Sequence, residues 1–190
     1  MNTLDAIAAR RSIRKFKDQP VPEDTIKTIL QAAIQAPSGK NRQPWRFVVV
    51  REDKRAEMVR IMREGIDHVE ASGHGLGSSR WTAEIMARAP VTIFVFNDAQ
   101  EHTPDKMMWD EPGDVVDVQS IGAAIQNMLL AAQEIGLGTL WICDVFYAYN
   151  QLIEWLGESR QMIAAVSVGY PDESPAARPR KAFDEVVRWF

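Results

Sequence analysis

A single cysteine, Cys143, among 190 residues excludes an internal disulfide framework and fits a reducing compartment. The three histidines, His68, His74 and His102, have no metal-ligand spacing, so no metal centre is expected. No apolar run approaches the ~18 residues of a membrane span. The start, Met1-Asn2-Thr3-Leu4-Asp5, lacks the basic region and apolar core of a secretory leader. The expectation is a cytoplasmic protein with no membrane partner. No G-x-S-x-G elbow occurs, and no Ser, His and acid trio stands out, so covalent hydrolysis has little support. The glycines of Ser72-Gly73-His74-Gly75-Leu76-Gly77-Ser78-Ser79 follow a helical pattern instead of a strand and have the wrong spacing for a dinucleotide fingerprint. No repeat, low-complexity tract or linker divides the chain, and its 46% hydrophobic and 25% charged residues suit one domain over 1–190.

What is present begins with misplaced charge. The formal net charge is -4, yet four of the seven side chains in Arg10-Arg11-Ser12-Ile13-Arg14-Lys15-Phe16 are cations. Net acidity argues against nucleic acid as a partner, because phosphate-backbone binding needs a broad positive field. A compact anion suits the cluster better: guanidinium forks offer paired donors and the Ser12 hydroxyl adds another, as a phosphate requires. A solvated basic patch after a helix is the plainer reading of a lone charge run. A second cluster, Arg178, Arg180 and Lys181, follows prolines at 171, 175 and 179 that keep the chain extended. If the two clusters converge, they form one phosphate site.

Between them, apolar periodicity predicts alternating helices and strands. Leu4, Ile7 and Ala8 mark a short helix that delivers Arg10 and Arg11 at its end, with 12–16 extended. Ile26, Ile29, Leu30, Ala33 and Ile34 give a second helix one buried face, and Pro37 stops it at Ala36. The loop Ala36-Pro37-Ser38-Gly39-Lys40-Asn41-Arg42-Gln43-Pro44-Trp45-Arg46-Phe47 is rich in hydrogen-bonding groups and enters a strand over 45–50. Such a loop either lays backbone and amides on a ligand or is a connector with a buried Trp. A helix over 53–69 follows, weakened near its end by Gly65, then a helix over 81–88 and a strand over 91–96 buried on both faces. Residues 97–113 have no period, and Trp109 with Met107 and Met108 either closes over a flat substrate or anchors the loop. The acids Asp110, Glu111, Asp114 and Asp117 suit a solvated loop and helix start.

The longest helix runs through Val118, Ile121, Ile125, Met128, Leu129, Ala132 and Ile135 to Gly136, and serves either the monomer core or a dimer interface. A strand over 137–143 follows, then a helix over 150–156 capped by Asn150, then a last core strand over 162–170. At the end of the 137–143 strand, Cys143 reads as a small core residue or a reactive thiol.

The Arg10 to Phe16 stretch, the loop from Ala36 to Phe47, the segment from Gly122 to Trp141 and the final Arg178-Pro179-Arg180-Lys181 resemble, in that order, the FMN-dependent nitroreductase family. The resemblance covers nearly the whole chain. It implies an α+β fold with a central mixed β-sheet flanked by helices, in a homodimer whose exchanged C-terminal segment completes the partner's sheet. Two FMN sites would then lie at the interface. By similarity Arg10, Ser12 and Arg14 hold the FMN phosphate and ribityl chain, and Arg178 and Arg180 reach the phosphate from the tail. Arg11 belongs to the same motif. Pro37, Ser38, Gly39 and Asn41 contact that flavin from the other subunit, and Gln43 either touches the flavin or fixes the loop. Trp141, Ile142 and Cys143 match the strand end that runs beside the flavin ring.

The chemistry that the resemblance implies agrees with what the sequence lacks. A flavin performs the transfer itself, so the protein need only bind, orient and tune it, and no catalytic side chain is named. The implied cycle is ping-pong: NAD(P)H reduces FMN, leaves, and a nitroaromatic, quinone or similar electron-poor acceptor takes its place. The same fold also hosts dehalogenation, desaturation and flavin degradation, and a non-enzymatic FMN-binding or sensing protein is a further class.

Overall fold

Seven consecutive buried residues, Val91 to Asn97, anchor the structure. The computed structural model describes residues 2–101 and 112–190, with side chains resumed from 115. Its strands are β1 (Trp45–Arg51), β2 (Val91–Glu101), β3 (Gly138–Ile142) and β4 (Arg160–Gly169). The sheet order is β1-β2-β4-β3, with every neighbouring pair antiparallel. Among the described residues, the mixed pairing expected from the resemblance enters only at an isolated parallel bridge, Ser12 to Thr139.

The two-residue period of β2 divides the core. Phe94 and Phe96 point to one face, where they pack with α3 (Lys54–Ala71), α4 (Ser79–Arg88) and α6 (Tyr149–Leu156). Ile93 and Val95 point to the other, against α2 (Glu23–Ala33) and α5 (Pro112–Glu134). Each such side chain, wholly buried, contributes roughly 1.5–3 kcal/mol of transfer free energy. Helices on both faces explain why β2 and β4 read as continuous apolar runs.

Helix α5 is the longest, and Val115–Glu134 has the length and mean hydropathy, 1.3, of a candidate span, against the expectation of no such run. Burial of Ile121, Ala124, Ile125 and Met128 in the core accounts for that composition without a membrane. It ends where Gly136 adopts φ 79°, a left-handed stop that glycine takes without penalty.

Some local expectations differ. The strand β2 runs to Glu101 and α5 begins at Pro112, so both ends of the stretch expected as a loop are regular, and residues 102–111, with Met107, Met108 and Trp109, lie outside the described residues. The cap of α6 is Ala148 and not Asn150, because a 3-10 turn, Asp144–Ala148, runs directly into the helix. Gly65 does not mark a fraying end. It lies mid-helix, buried, where an added Cβ would meet the Ala148 Cα at 2.6 Å and the Tyr147 carbonyl at 2.7 Å. Its missing side chain lets α3 approach that turn.

Both chain ends carry exposed apolar groups. On α1 (Thr3–Ala9) only Ala6 is buried, while Leu4 and Ile7 face outward. Beyond β4 the tail is extended to α7 (Phe183–Val186), and Phe183, Val186, Trp189 and Phe190 are all exposed.

Candidate functional site

The basic stretch is held in place by backbone pairing. After α1 the chain turns extended at Arg10 (φ -57°, ψ 131°), and the Ile13 amide donates to the Thr139 carbonyl on β3 at 2.9 Å. Gly138 makes that approach possible, since a Cβ there would stand 2.8 Å from Ile13 Cγ1. On its other side the stretch clasps the start of the tail. The Lys17 amide donates to the Tyr170 carbonyl and the Asp172 amide to the Lys15 carbonyl, both at 2.9 Å. The Glu173 carboxylate accepts from the amides of Arg14 at 2.5 Å and Lys15 at 3.1 Å.

This clasp brings the two cationic clusters together. Arg10, Arg11, Ser12 and Arg14 from the beginning line one cavity of about 430 Å³ with Arg178 and Arg180 from the tail. Among the described residues, none of these arginines has a carboxylate within 4.0 Å. Desolvation, then the neighbouring Arg180 and Arg11 charges, hold the Arg10 guanidinium below its ordinary pKa. Like charges converging without a counter-ion are what a phosphate dianion would relieve, so the residues fit a phosphate-bearing ligand. Arg11 is partly committed elsewhere, because its Nη1 donates to the Ala8 carbonyl at 2.6 Å and the Arg10 carbonyl at 3.0 Å, at the open C-terminus of α1.

Arg14 lies at a junction. Besides the arginine cavity it lines a second space, of about 150 Å³, at the end of β3 with Trp141, Ile142, Cys143 and Asp144. Its guanidinium carbon stands 5.4 Å from the Trp81 ring, within cation–π range. Asp144 braces this end by accepting from Ser78 Oγ at 2.9 Å and Thr82 Oγ1 at 2.5 Å. Desolvation, with a smaller contribution from Asp144, raises the Cys143 thiol pKa.

The loop bearing Pro37, Ser38, Gly39 and Asn41 does not line the arginine cavity of the same protomer. It is strained and tethered. Lys40, Asn41 and Gln43 all have positive φ, 53°, 55° and 49°, a region costly for side-chain-bearing residues. The Gly39 amide donates to Ser120 Oγ at 3.3 Å, the Gln43 amide donates to Ser38 Oγ at 3.0 Å, and Arg42 Nη2 reaches Asp117 Oδ1 at 2.7 Å.

Sequence reasoning missed Trp81, Glu173, Asp144 and Asp117 as parts of the site. Trp81 and Asp144 sit on elements distant in sequence from the basic motifs. Asp117 looked like an ordinary helix-start acid, and only its burial, at 1% exposure, sets it apart.

Comparison with known proteins gives this geometry a lineage. A protein of Methanothermobacter thermautotrophicus with the provisional name NADH dehydrogenase/NAD(P)H nitroreductase is 34% identical, over 94% of this chain and 82% of its own length. An iodotyrosine deiodinase of Thermotoga neapolitana is 27% identical over 97% of this chain and 96% of its own. Among solved structures, a provisionally named nitroreductase from Desulfovibrio desulfuricans in complex with FMN superposes with a TM-score of 0.76. It is 30% identical and covers 98% of this chain, which spans 95% of it. The family model described as the Nitroreductase family matches residues 7–170, from the end of α1 to the residue after β4, and the chain belongs to that family.

Proposed function

We propose that this protein is an FMN-dependent oxidoreductase that takes reducing equivalents from NAD(P)H and passes them, in a ping-pong cycle, to a nitroaromatic, quinone or similar electron-poor acceptor. One observation carries the reading: arginines from both ends of the chain converge, without carboxylate partners among the described residues, on a cavity beside the end of β3. A molecule with a phosphate at one end and a flat ring at the other fits that succession. Bound FMN supplies the electron-transfer chemistry itself.

The chain's residues bind and orient. Arg10, Ser12, Arg178 and Arg180 would hold the phosphate, and Arg11 closes the end of α1 behind them. Arg14 reaches from that cavity to the β3 end, where Trp141, Ile142 and Cys143 would border the ring. The Arg14 cation would stabilise negative charge on a ring system bound there. The raised thiol pKa keeps Cys143 protonated at neutral pH, so it brings no second charge.

A homodimer in one domain per chain, with exchanged C-terminal segments, completes the reading. The unpacked apolar side chains of α7 and of Trp189 and Phe190 support it, as does the outward face of α1. Pro37, Ser38, Gly39 and Asn41, absent from their own protomer's cavity, would then meet the flavin of the other subunit. Cys143, the single free thiol, suits the cytoplasm.

The relative named as an iodotyrosine deiodinase favours a second reading, reductive removal of halogen from a ring at the same site. The absorbance spectrum of the purified protein, followed anaerobically on adding NADH and then NADPH, tests the first. Flavin bands that bleach with a donor are expected; no bands even after FMN is added would overturn the proposal. Comparing a nitroaromatic with an iodinated phenol as acceptor separates the two readings.

A further inference from the structure

A second cavity, of about 350 Å³, adjoins the arginine site across Arg14 and Pro175, and its charges are unevenly used. Arg14, Lys15 and Arg88 line it, and among the described residues none of them has a carboxylate within 4.0 Å. Both acids at its rim are engaged elsewhere. Glu84 is paired with Arg63 at 2.6 Å, and Glu173 accepts the Arg14 and Lys15 amides. The apolar part of the wall is Ile85, Pro175 and the indole of Trp81, which is 55% exposed and the one aromatic face among the lining residues. Trp81 and Arg14 also line the β3-end cavity, so the two spaces are continuous neighbours.

We infer that this cavity binds a planar aromatic ring with an anionic group attached to it directly or through a sugar, the ring on Trp81 and the anion toward Lys15 and Arg88. Aromatic stacking and charge-assisted hydrogen bonds are the two interactions that those residues offer, and they offer them to one ligand at once. Two molecules of the proposed reaction have this chemistry: the adenosine 2′-phosphate end of NADPH, and an acceptor whose ring carries a carboxylate. The inference rests on the FMN oxidoreductase reading, and it adds a selection among donors or acceptors that the flavin site does not make.

The test uses FMN-loaded protein. Calorimetric titration with 2′,5′-ADP against 5′-AMP reads the nucleotide source, and the KM for 4-nitrobenzoate against nitrobenzene reads the acceptor source. At least one anionic probe is expected to be preferred. Arg88→Gln should erase about tenfold of that preference and Trp81→Leu should weaken both members of the pair, with Trp81→Phe restoring most of it. Arg88 is exposed in the last turn of α4, so its loss leaves the fold and FMN binding intact. No preference for either anionic probe, or a preference that Arg88→Gln leaves unchanged, overturns the inference. If the protein fails to retain FMN, the oxidoreductase reading falls instead, and titration of the FMN-free chain with 2′,5′-ADP still decides whether the cavity binds it.

Discussion

Arg42 Nη2 lies 2.7 Å from Asp117 Oδ1, and only the arginine reaches solvent, with 43% of its side chain exposed against 1% for the aspartate. The contact is an ion pair more than an aligned hydrogen bond, and neither aspartate oxygen meets a hydrogen-bond partner among the described residues. Charge attraction across this pair is therefore the main compensation for burying the carboxylate. It also ties the strained 40–43 segment to α5.

The two partners are consequently unequal. Arg42→Ala strands a buried carboxylate and should destabilise the protein by about 3 kcal/mol, the lower end for breaking a buried pair, since the arginine is part-exposed. Asp117→Asn removes the buried charge and leaves Arg42 free to hydrate, so its cost should be about 1 kcal/mol. Chemical denaturation of both variants checks the order. Equal costs would show that the pair is not what stabilises the buried acid.

The continuous apolar run of β2, the helical periods and the stop at Gly136 were legible because each depends on local pattern; α2 instead ends at Ala33, ahead of the expected Ala36, because the chain tightens into a turn over 34–36 before Pro37. Convergence of Arg10 with Arg180 was legible only as a condition, since it depends on the clasp that Glu173 and Lys17 form between distant segments. Trp81 could not be placed beside Arg14 at all. Nothing in the sequence around either residue encodes a contact 67 positions apart, which arises from how α4 packs across the β3 end. Gly65 misled for the same reason: its value is set by Ala148, and a helix propensity read in isolation counts only its cost.

Arg10→Ala and Ser12→Ala remove charge-assisted and hydroxyl donors from the arginine cavity. Each donor lost from a phosphate contact should weaken FMN by ~1.5 to 3 kcal/mol, roughly tenfold or more in Kd. Because Arg10 is crowded by Arg180 and Arg11, its removal should also relieve repulsion in the FMN-free protein. The double variant should therefore be no less stable than the parent without FMN, and gain less in Tm when FMN is added. Unaltered flavin retention would sink the phosphate assignment.

Cys143 is exposed, not the small core residue that its place at the end of an apolar strand suggested, yet partial desolvation of its thiol and the Asp144 carboxylate raise its pKa. For an acid that is neutral when protonated, a raised pKa means less thiolate at any pH between the ordinary and the raised value. Iodoacetamide should accordingly alkylate Cys143 several-fold more slowly than free cysteine at pH 8, with the rate still climbing where free cysteine has levelled off. The stability that this shift contributes is full below the unfolded-state pKa and is lost as pH rises through the folded-state value. Alkylation as fast as the free amino acid's would show the thiol to be solvated.

The tail divides into two functions that truncation can separate. Residues 183–190 contribute Phe183, Val186, Trp189 and Phe190, exposed on the single chain and suited to burial against a partner. Residues 175–182 contribute Arg178 and Arg180 to the anion cavity. Deleting 183–190 should weaken the proposed dimer while leaving those arginines in place, so flavin retention should fall in step with dissociation on dilution. Deleting 175–190 should lower FMN affinity further, even at concentrations that keep the remaining chains paired, because two cations leave the cavity. Sedimentation with detection at a flavin wavelength distinguishes these effects. A flavin-loaded monomer after the shorter deletion would refute the partner-supplied role of the 37–41 loop, since a chain without a partner would then hold the flavin with only its own residues, among which that loop does not line the cavity.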